Sequence, residues 1–245
     1  MRRYTAILRA VTLRDAWEAE AANWVEWARR AGHDSYGRFH RDAFLELLPP
    51  PGRRTLDVGC GEGRLARDMK ALGHEVVAVD AAPSMVAHAR EADPDGEYVL
   101  ASGSELPFPD GSADLVVAFM SLQDMDDPEG AVREAWRVLE RGGRLCIALV
   151  HPINSAGTFE SDEDDAAFVV RDSYFERRRY VDTIEKDMLQ MTFTSDHRSL
   201  EGWLAPLADT GFLLERVREV PATDNPRWRR LPLFLHVRAL KPERR

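Results

Sequence analysis

The chain has little cysteine: two residues, Cys60 and Cys146, in 245. Both fall in expected core positions, so the reading expects no disulfide and a reducing, cytoplasmic setting. No apolar run approaches the roughly 20 residues that cross a bilayer, and no membrane partner is expected. The N-terminus, MRRYTAILRA, begins basic but has no apolar core followed by a cleavage site, so it does not read as a signal peptide. Positive charge is also short. Lys and Arg total 33 against 42 Asp and Glu, a net charge of −9, which argues against a broad nucleic-acid surface. The Arg227–Arg230 cluster, the Arg177–Arg179 cluster and the arginine-rich end read as solvated exceptions. Arginine outnumbers lysine, a coding bias that suggests a GC-rich bacterial source. There is no internal repeat, and no metal site is assigned.

What the chain does have is 44% apolar residues, enough for a packed core at this length. Apolar residues at helical spacing predict a helix over 13–31 and a second over 37–48, ended by Pro49, Pro50 and Pro51. This sets off residues 1–50 as an N-terminal helical cap on a core of 51–245. In the core, strands are expected at 54–58, 75–79, 97–101, 113–119 and 143–150. Helices are expected at 62–72, 83–92 and 128–140. Alternation of this kind means an α/β fold with a mostly parallel sheet covered on both faces. Ligands then bind at the carboxyl ends of the strands, where the strand order reverses, flanked here by the first and fourth strands. Residues 151–195 read as a long irregular insertion with an acidic solvated loop at 160–165. A helix at 199–210, closed by Gly211, and strands at 212–220 and 231–239 follow.

The richest signal is Thr55-Leu56-Asp57-Val58-Gly59-Cys60-Gly61-Glu62-Gly63. A short apolar run feeds a turn with glycines at alternate positions. Asp80 closes the next apolar run, seventeen residues past Gly63. Glycines let a ligand approach the backbone without meeting a Cβ. A carboxylate at the end of the second strand can accept both ribose hydroxyls. A dinucleotide fingerprint needs a small residue where this chain has Arg64, which disfavours NAD and FAD.

Four segments in order resemble the class I S-adenosylmethionine-dependent methyltransferases. These are residues 56–63; residues 77–80 with Pro83-Ser84-Met85; residues 106–116, reading LPFPDGSADLV; and residues 131–143, reading AVREAWRVLERGG. The resemblance lies nearest the ubiquinone/menaquinone-biosynthesis and natural-product groups. It implies a Rossmann-like seven-stranded sheet with an antiparallel C-terminal hairpin, S-adenosylmethionine as cofactor, and a small-molecule acceptor, as in secondary metabolism. It also implies cofactor contacts by the backbone of Gly59, Cys60, Gly61 and Gly63, by Asp57 at the amino end and by Asp80 at the ribose. Ala81 and Met85 would lie near adenine. Ser102 stands where the family often has an acid, with Gly103 and Ser104 beside it. Met120 and Ser121 would approach the methionine end. Simple core packing is an equal reading for Met85 and Met120.

The acceptor side is less determined. His151 follows the fifth strand and His197 precedes the next helix; a histidine there can take a proton near neutral pH. Asp124, where relatives often have a histidine, reads as a helix cap or lid contact rather than a base. Trp17, Trp24 and Trp27 share one helix face and read as core, with Trp27 or Tyr36 able to reach the cavity. The insertion at 151–195 and the cap are expected to close over the site. The best reading is in-line methyl transfer to a small molecule by a monomer or homodimer. The alternatives are RNA or protein methylation, or cofactor binding without turnover.

Overall fold

The computed structural model describes residues 11–243; the basic N-terminal stretch 1–10 and the last two arginines lie outside them. The chain enters through α1 (Leu13–Arg29), whose Thr12 hydroxyl accepts from the Asp15 amide at 3.0 Å. A π-helical turn (Tyr36–His40) and α2 (Arg41–Leu45) stand where one longer helix was expected. Then follow β1 (Thr55–Val58), α3 (Arg64–Ala71), β2 (Val76–Asp80), α4 (Pro83–Ala92), β3 (Glu97–Leu100), β4 (Ala113–Phe119), α5 (Pro128–Val138) and β5 (Leu139–Val150). Pro83 and Pro128 sit in the first turns of α4 and α5, where the missing N–H costs nothing. Asp127 caps α5 by accepting from the Gly130 amide at 2.8 Å.

The expected irregular insertion is instead built of regular pieces, which corrects that reading. α6 (Pro152–Ala156) leads to a short hairpin, β6 (Gly157–Phe159) with β7 (Phe168–Val170). The acidic run at 160–165 is the exposed connection inside it. A longer hairpin follows, β8 (Arg178–Lys186) with β9 (Leu189–His197), paired along its full length. The chain ends with α7 (Leu200–Thr210), β10 (Leu213–Val220) and β11 (Phe234–Leu240).

Seven strands form one sheet in the order β10-β11-β5-β4-β1-β2-β3. β3, β2, β1, β4 and β5 are parallel; β11 runs antiparallel to both β5 and β10. The order reverses between β1 and β4, so the crevice opens where the glycine turn leaves β1. Apolar side chains fill both faces. On one, Val132, Ala135 and Val138 of α5 and Leu207 of α7 pack on Leu56, Val116 and Ile147. On the other, Phe44, Leu47, Leu65 and Met69 pack on Leu115, Val117 and Cys146. Each fully buried leucine of this kind contributes about 1.5–3 kcal/mol. Among the described residues no helix is long and apolar enough to cross a membrane.

Candidate active site

A cavity of about 810 Å³ opens at the carboxyl edge of the sheet, at the switch between β1 and β4. That is the upper part of the range for sites that hold small organic ligands, roughly 300–1,000 Å³. Its floor is the turn after β1. Gly59 and Gly61 hold positive φ, +77° and +56°, and their amides are bonded to β2, Gly59 to the Val79 carbonyl at 2.7 Å and Gly61 to the Asp80 carboxylate at 2.8 Å. The Glu62 carboxylate, buried beneath, takes two contacts from Arg67 at 2.9 and 3.0 Å and two from Arg29 of α1, both at 3.4 Å. The turn is therefore braced from α3 and from the cap together. The Cys60 thiol donates to the Gly61 carbonyl at 3.6 Å, and burial pushes its pKa well up, so it is an inert wall group.

Two carboxylates face this floor. Asp80, at the end of β2, accepts from the Gly61 amide at 2.8 Å and from the Ala82 amide at 2.9 Å. Each oxygen keeps a further lone pair, and the side chain remains partly open to the cavity. Asp57 is 1% exposed, and its Oδ2 has no partner among the described residues. Burial, with the Asp80 charge beside it, raises its pKa to about 7. A buried carboxylate left short of a partner is costly, and it is the arrangement expected of a site that receives a cationic or N–H group.

The sequence-assigned cofactor residues gather here with one exception. Asp57, Gly59, Cys60 and Gly61 line the floor, and Asp80, Ala81 and Met85 the side beneath α1. Ser102, Gly103 and Ser104 form the facing wall, where the Ser102 and Ser104 hydroxyls stand 2.9 Å apart. Met120 and Ser121 close the β4 end; Met120 has φ +55°, and Ser121 donates to the Val58 carbonyl at 2.7 Å. Gly63 lies behind the wall as the N-cap of α3, where a Cβ would press on the Tyr98 ring.

The two histidines are not brought to the cavity. His151 caps α6: its Nδ1 accepts from the Ile153 amide at 3.1 Å, and its Nε2 stands 3.0 Å from Glu219. The wall beside it is made by Val150 and Asn154. His197 is fully buried; its Nδ1 meets the Ser155 hydroxyl at 2.7 Å, and its Nε2 donates to the Tyr174 carbonyl at 3.0 Å. Burial lowers the pKa of both rings. His151 ties α6 to β10 and His197 ties α6 to the Tyr174 segment, and neither ring lines the cavity. Tyr36 is likewise committed, donating to Asp68 at 2.7 Å.

The cavity roof was not assigned correctly from helical spacing. Trp27 is buried, at 2% exposure, and also lines the cavity, as the sequence reading allowed. Trp17 and Trp24 instead stand over the opening, edge-on to one another at 5.7 Å and to Phe193 of β9 at 6.2 and 6.0 Å. The β8–β9 hairpin lies against α1, and α1 is held down by Glu18, which accepts from the Ser84 amide and hydroxyl at 3.0 and 2.5 Å. Also missed was His40, whose ring stacks on Phe234 at 3.9 Å and lines the far end of the cavity. Asp124, read from the sequence as a helix cap or lid contact, also belongs to the cavity wall. It faces the cavity and accepts from the Ser195 hydroxyl of β9 at 2.5 Å, so the lid contact read from sequence is present.

The buried Asp57 gives a stability prediction. Its folded pKa lies above the unfolded value of 3.8, so its contribution is fully favourable below about pH 4 and is lost as pH rises toward 7. Asp57→Asn should remove that loss. Urea unfolding of the ligand-free protein should show the variant gaining about 1–3 kcal/mol relative to wild type between pH 5 and pH 8. Parallel pH profiles for the two proteins would contradict this.

Comparison with known proteins agrees with this geometry. Residues 56–147 match the family model described as a methyltransferase domain. A Mycobacterium tuberculosis protein named "Probable S-adenosylmethionine-dependent methyltransferase" is 34% identical over 149 residues, 56% of this chain and 54% of its own length. The demethylmenaquinone methyltransferase of Beutenbergia cavernae is 36% identical over 112 residues, 45% of this chain and 47% of its own. The chain spans about half the length of the curated relatives it matches. The crystal structure of an S-adenosylmethionine-dependent methyltransferase from Mesorhizobium loti superposes with a TM-score of 0.66 at 26% identity, over 81% of this chain and 95% of that one. Residues 56–147 thus match a methyltransferase domain, and the sheet order, glycine turn and paired carboxylates are similar to those of the class I S-adenosylmethionine-dependent methyltransferase fold.

Proposed function

We propose that this protein transfers a methyl group from S-adenosylmethionine to a small-molecule acceptor enclosed beneath the β8–β9 hairpin and α1. The observation that carries the reading is one continuous cavity with Asp57 and Asp80 at its floor and Trp17, Trp24 and Phe193 at its roof. S-adenosylmethionine supplies an electrophilic methyl carbon on a positively charged sulfur. The protein's own work is positioning and exclusion of water. Asp80, fixed by the Gly61 and Ala82 amides, presents its remaining lone pairs to two ribose hydroxyls. Asp57 Oδ2 accepts from the amino end, which supplies its missing partner. Ser102 and Gly103 face the adenine edge. Met120 and Ser121 hold the methionine end near the acceptor, and the tryptophans keep water from the reacting centre.

The net charge of −9 and the acidic floor favour a small acceptor over RNA. The test is single-turnover transfer from methyl-labelled S-adenosylmethionine to a small-molecule extract, to RNA and to protein in parallel. Label in the small-molecule fraction alone supports the reading. Label confined to RNA or protein, or cofactor bound without transfer to any fraction, contradicts it. The roof should also behave as a lid. Amide exchange in α1 and in 178–197 should slow on adding cofactor product, and unchanged exchange there would count against closure.

A further inference from the structure

Resting on the methyltransferase reading, we propose that the acceptor carries a basic amine, seated where Gln123 and Asp124 meet the Trp17 and Phe193 rings. The end of β4 passes through a 3-10 turn (Leu122–Asp124) that puts both side chains on the cavity wall. Gln123 is 3% exposed. Its amide nitrogen donates to the Met120 carbonyl at 2.7 Å and, more weakly, to Asp124 at 3.3 Å. Its Oε1 has no partner among the described residues. A buried amide oxygen of this kind calls for a donor. Asp124 beside it offers carboxylate oxygens with a lone pair to spare after Ser195, Gln123 and Trp17 are counted.

An N–H donor with positive charge fits these groups better than a neutral hydroxyl. Trp17 and Phe193 border the same corner, 6.2 Å apart and edge-on, and aromatic faces favour cations over neutral groups. The charges around Asp124 leave its acidity unmatched. Asp196 on β9 is held by Arg177 and Arg179, at 3.1 and 3.3 Å, and Asp126 by Arg179 at 3.4 Å. On α1, Arg14 pairs with Asp15, and at the Trp24 edge Arg64 pairs with Asp34. Asp124 itself has no cationic side chain as a partner among the described residues. Burial raises its pKa to about 8, with the Asp196 charge adding to this and the Ser195, Gln123 and Trp17 donors opposing it. An arriving ammonium would bring that pKa down, so binding at pH 7 should release a proton.

The experiment is calorimetry on the protein saturated with S-adenosylhomocysteine, using phenethylamine and tryptamine against 2-phenylethanol and tryptophol. Each amine should bind about tenfold or more tightly than its alcohol. Its heat should vary with the buffer's ionisation enthalpy, which reports the released proton. Asp124→Asn, which keeps the side-chain shape, should reduce the amine's advantage to about twofold or less and abolish the proton release. Its affinity for S-adenosylhomocysteine should stay within about twofold of wild type. The proton-release arm uses wild type only, so it stands even where the variant does not fold. Equal binding of amine and alcohol, no binding of either, or amine binding without proton release would overturn the amine site. Loss of S-adenosylhomocysteine affinity in Asp124→Asn would also overturn it, by assigning Asp124 to the cofactor. Failure of wild type to bind S-adenosylhomocysteine at all would instead remove the methyltransferase reading beneath it.

Discussion

Gly59→Ala should severely weaken cofactor binding and destabilise the fold, while Gly61→Ala, two residues on, should do much less to the fold. At Gly59 a Cβ would meet Ser121 Cβ, stand 2.8 Å from Ser121 Oγ and lie 3.2 Å from Met125 Cε, on a backbone already at φ +77°. Ser121 has no room to retreat, because its hydroxyl donates to Val58 at 2.7 Å in the same turn. Left-handed strain and overpacking together are worth about 2–4 kcal/mol of stability. Displacing the turn should weaken S-adenosylhomocysteine binding by about 100-fold or more, because every floor contact moves with it. At Gly61, φ is +56° but the nearest heavy atom is the Trp24 indole nitrogen, 3.6 Å away. Only the backbone term remains there, about 1–2 kcal/mol. Urea unfolding and calorimetry on both variants separate the cases. Equal losses would mean that close packing against Ser121 does not set the turn.

Asp80→Ala should cost about 1.5–3 kcal/mol of cofactor affinity, a factor of roughly 10–150. The carboxylate has two tasks in the structure. It is placed to accept from the ribose, and it already accepts from the Gly61 and Ala82 amides. Removing it therefore leaves two backbone donors short of a partner as well as the ligand. Relief of the burial that raises its pKa offsets part of the folding cost. Asp80→Asn should keep an acceptor oxygen and fall between wild type and alanine in affinity. Calorimetry that finds all three proteins alike would remove Asp80 from the site.

Local signals carried most of the sheet and its ligand edge. The apolar runs of β1, β2 and β4, the glycine turn after β1, the prolines opening α4 and α5 and the Ser199 and Gly211 caps of α7 each mark a boundary by a short-range mechanism. The β8–β9 hairpin gave no such mark. Its two-residue turn, Asp187-Met188, holds positive φ at both positions, +50° and +62°. Hairpin turns of this type are recognised in sequence by Asn-Gly or Asp-Gly, and here the second position is an exposed methionine. β8 also reads as polar, because its outer half, residues 183–186, is exposed on both faces and the strand carries five charged side chains. Without the hairpin, the partner of α1 was invisible. A tryptophan stripe that would be core against a solid sheet becomes the roof of a cavity when a strand closes the far side. The histidines failed for a related reason. Position in the chain put His151 at the carboxyl edge of β5, but its side chain turns back to cap the next helix.

The central claim is that the β1 turn, Asp57 and Asp80 form an S-adenosylmethionine site. Calorimetric titration of the purified protein with S-adenosylhomocysteine tests it most directly, with NADH as the comparison ligand. The account predicts one site with a Kd in the micromolar range, about −8 kcal/mol, and no heat from NADH. Binding of NADH with no binding of S-adenosylhomocysteine would contradict it.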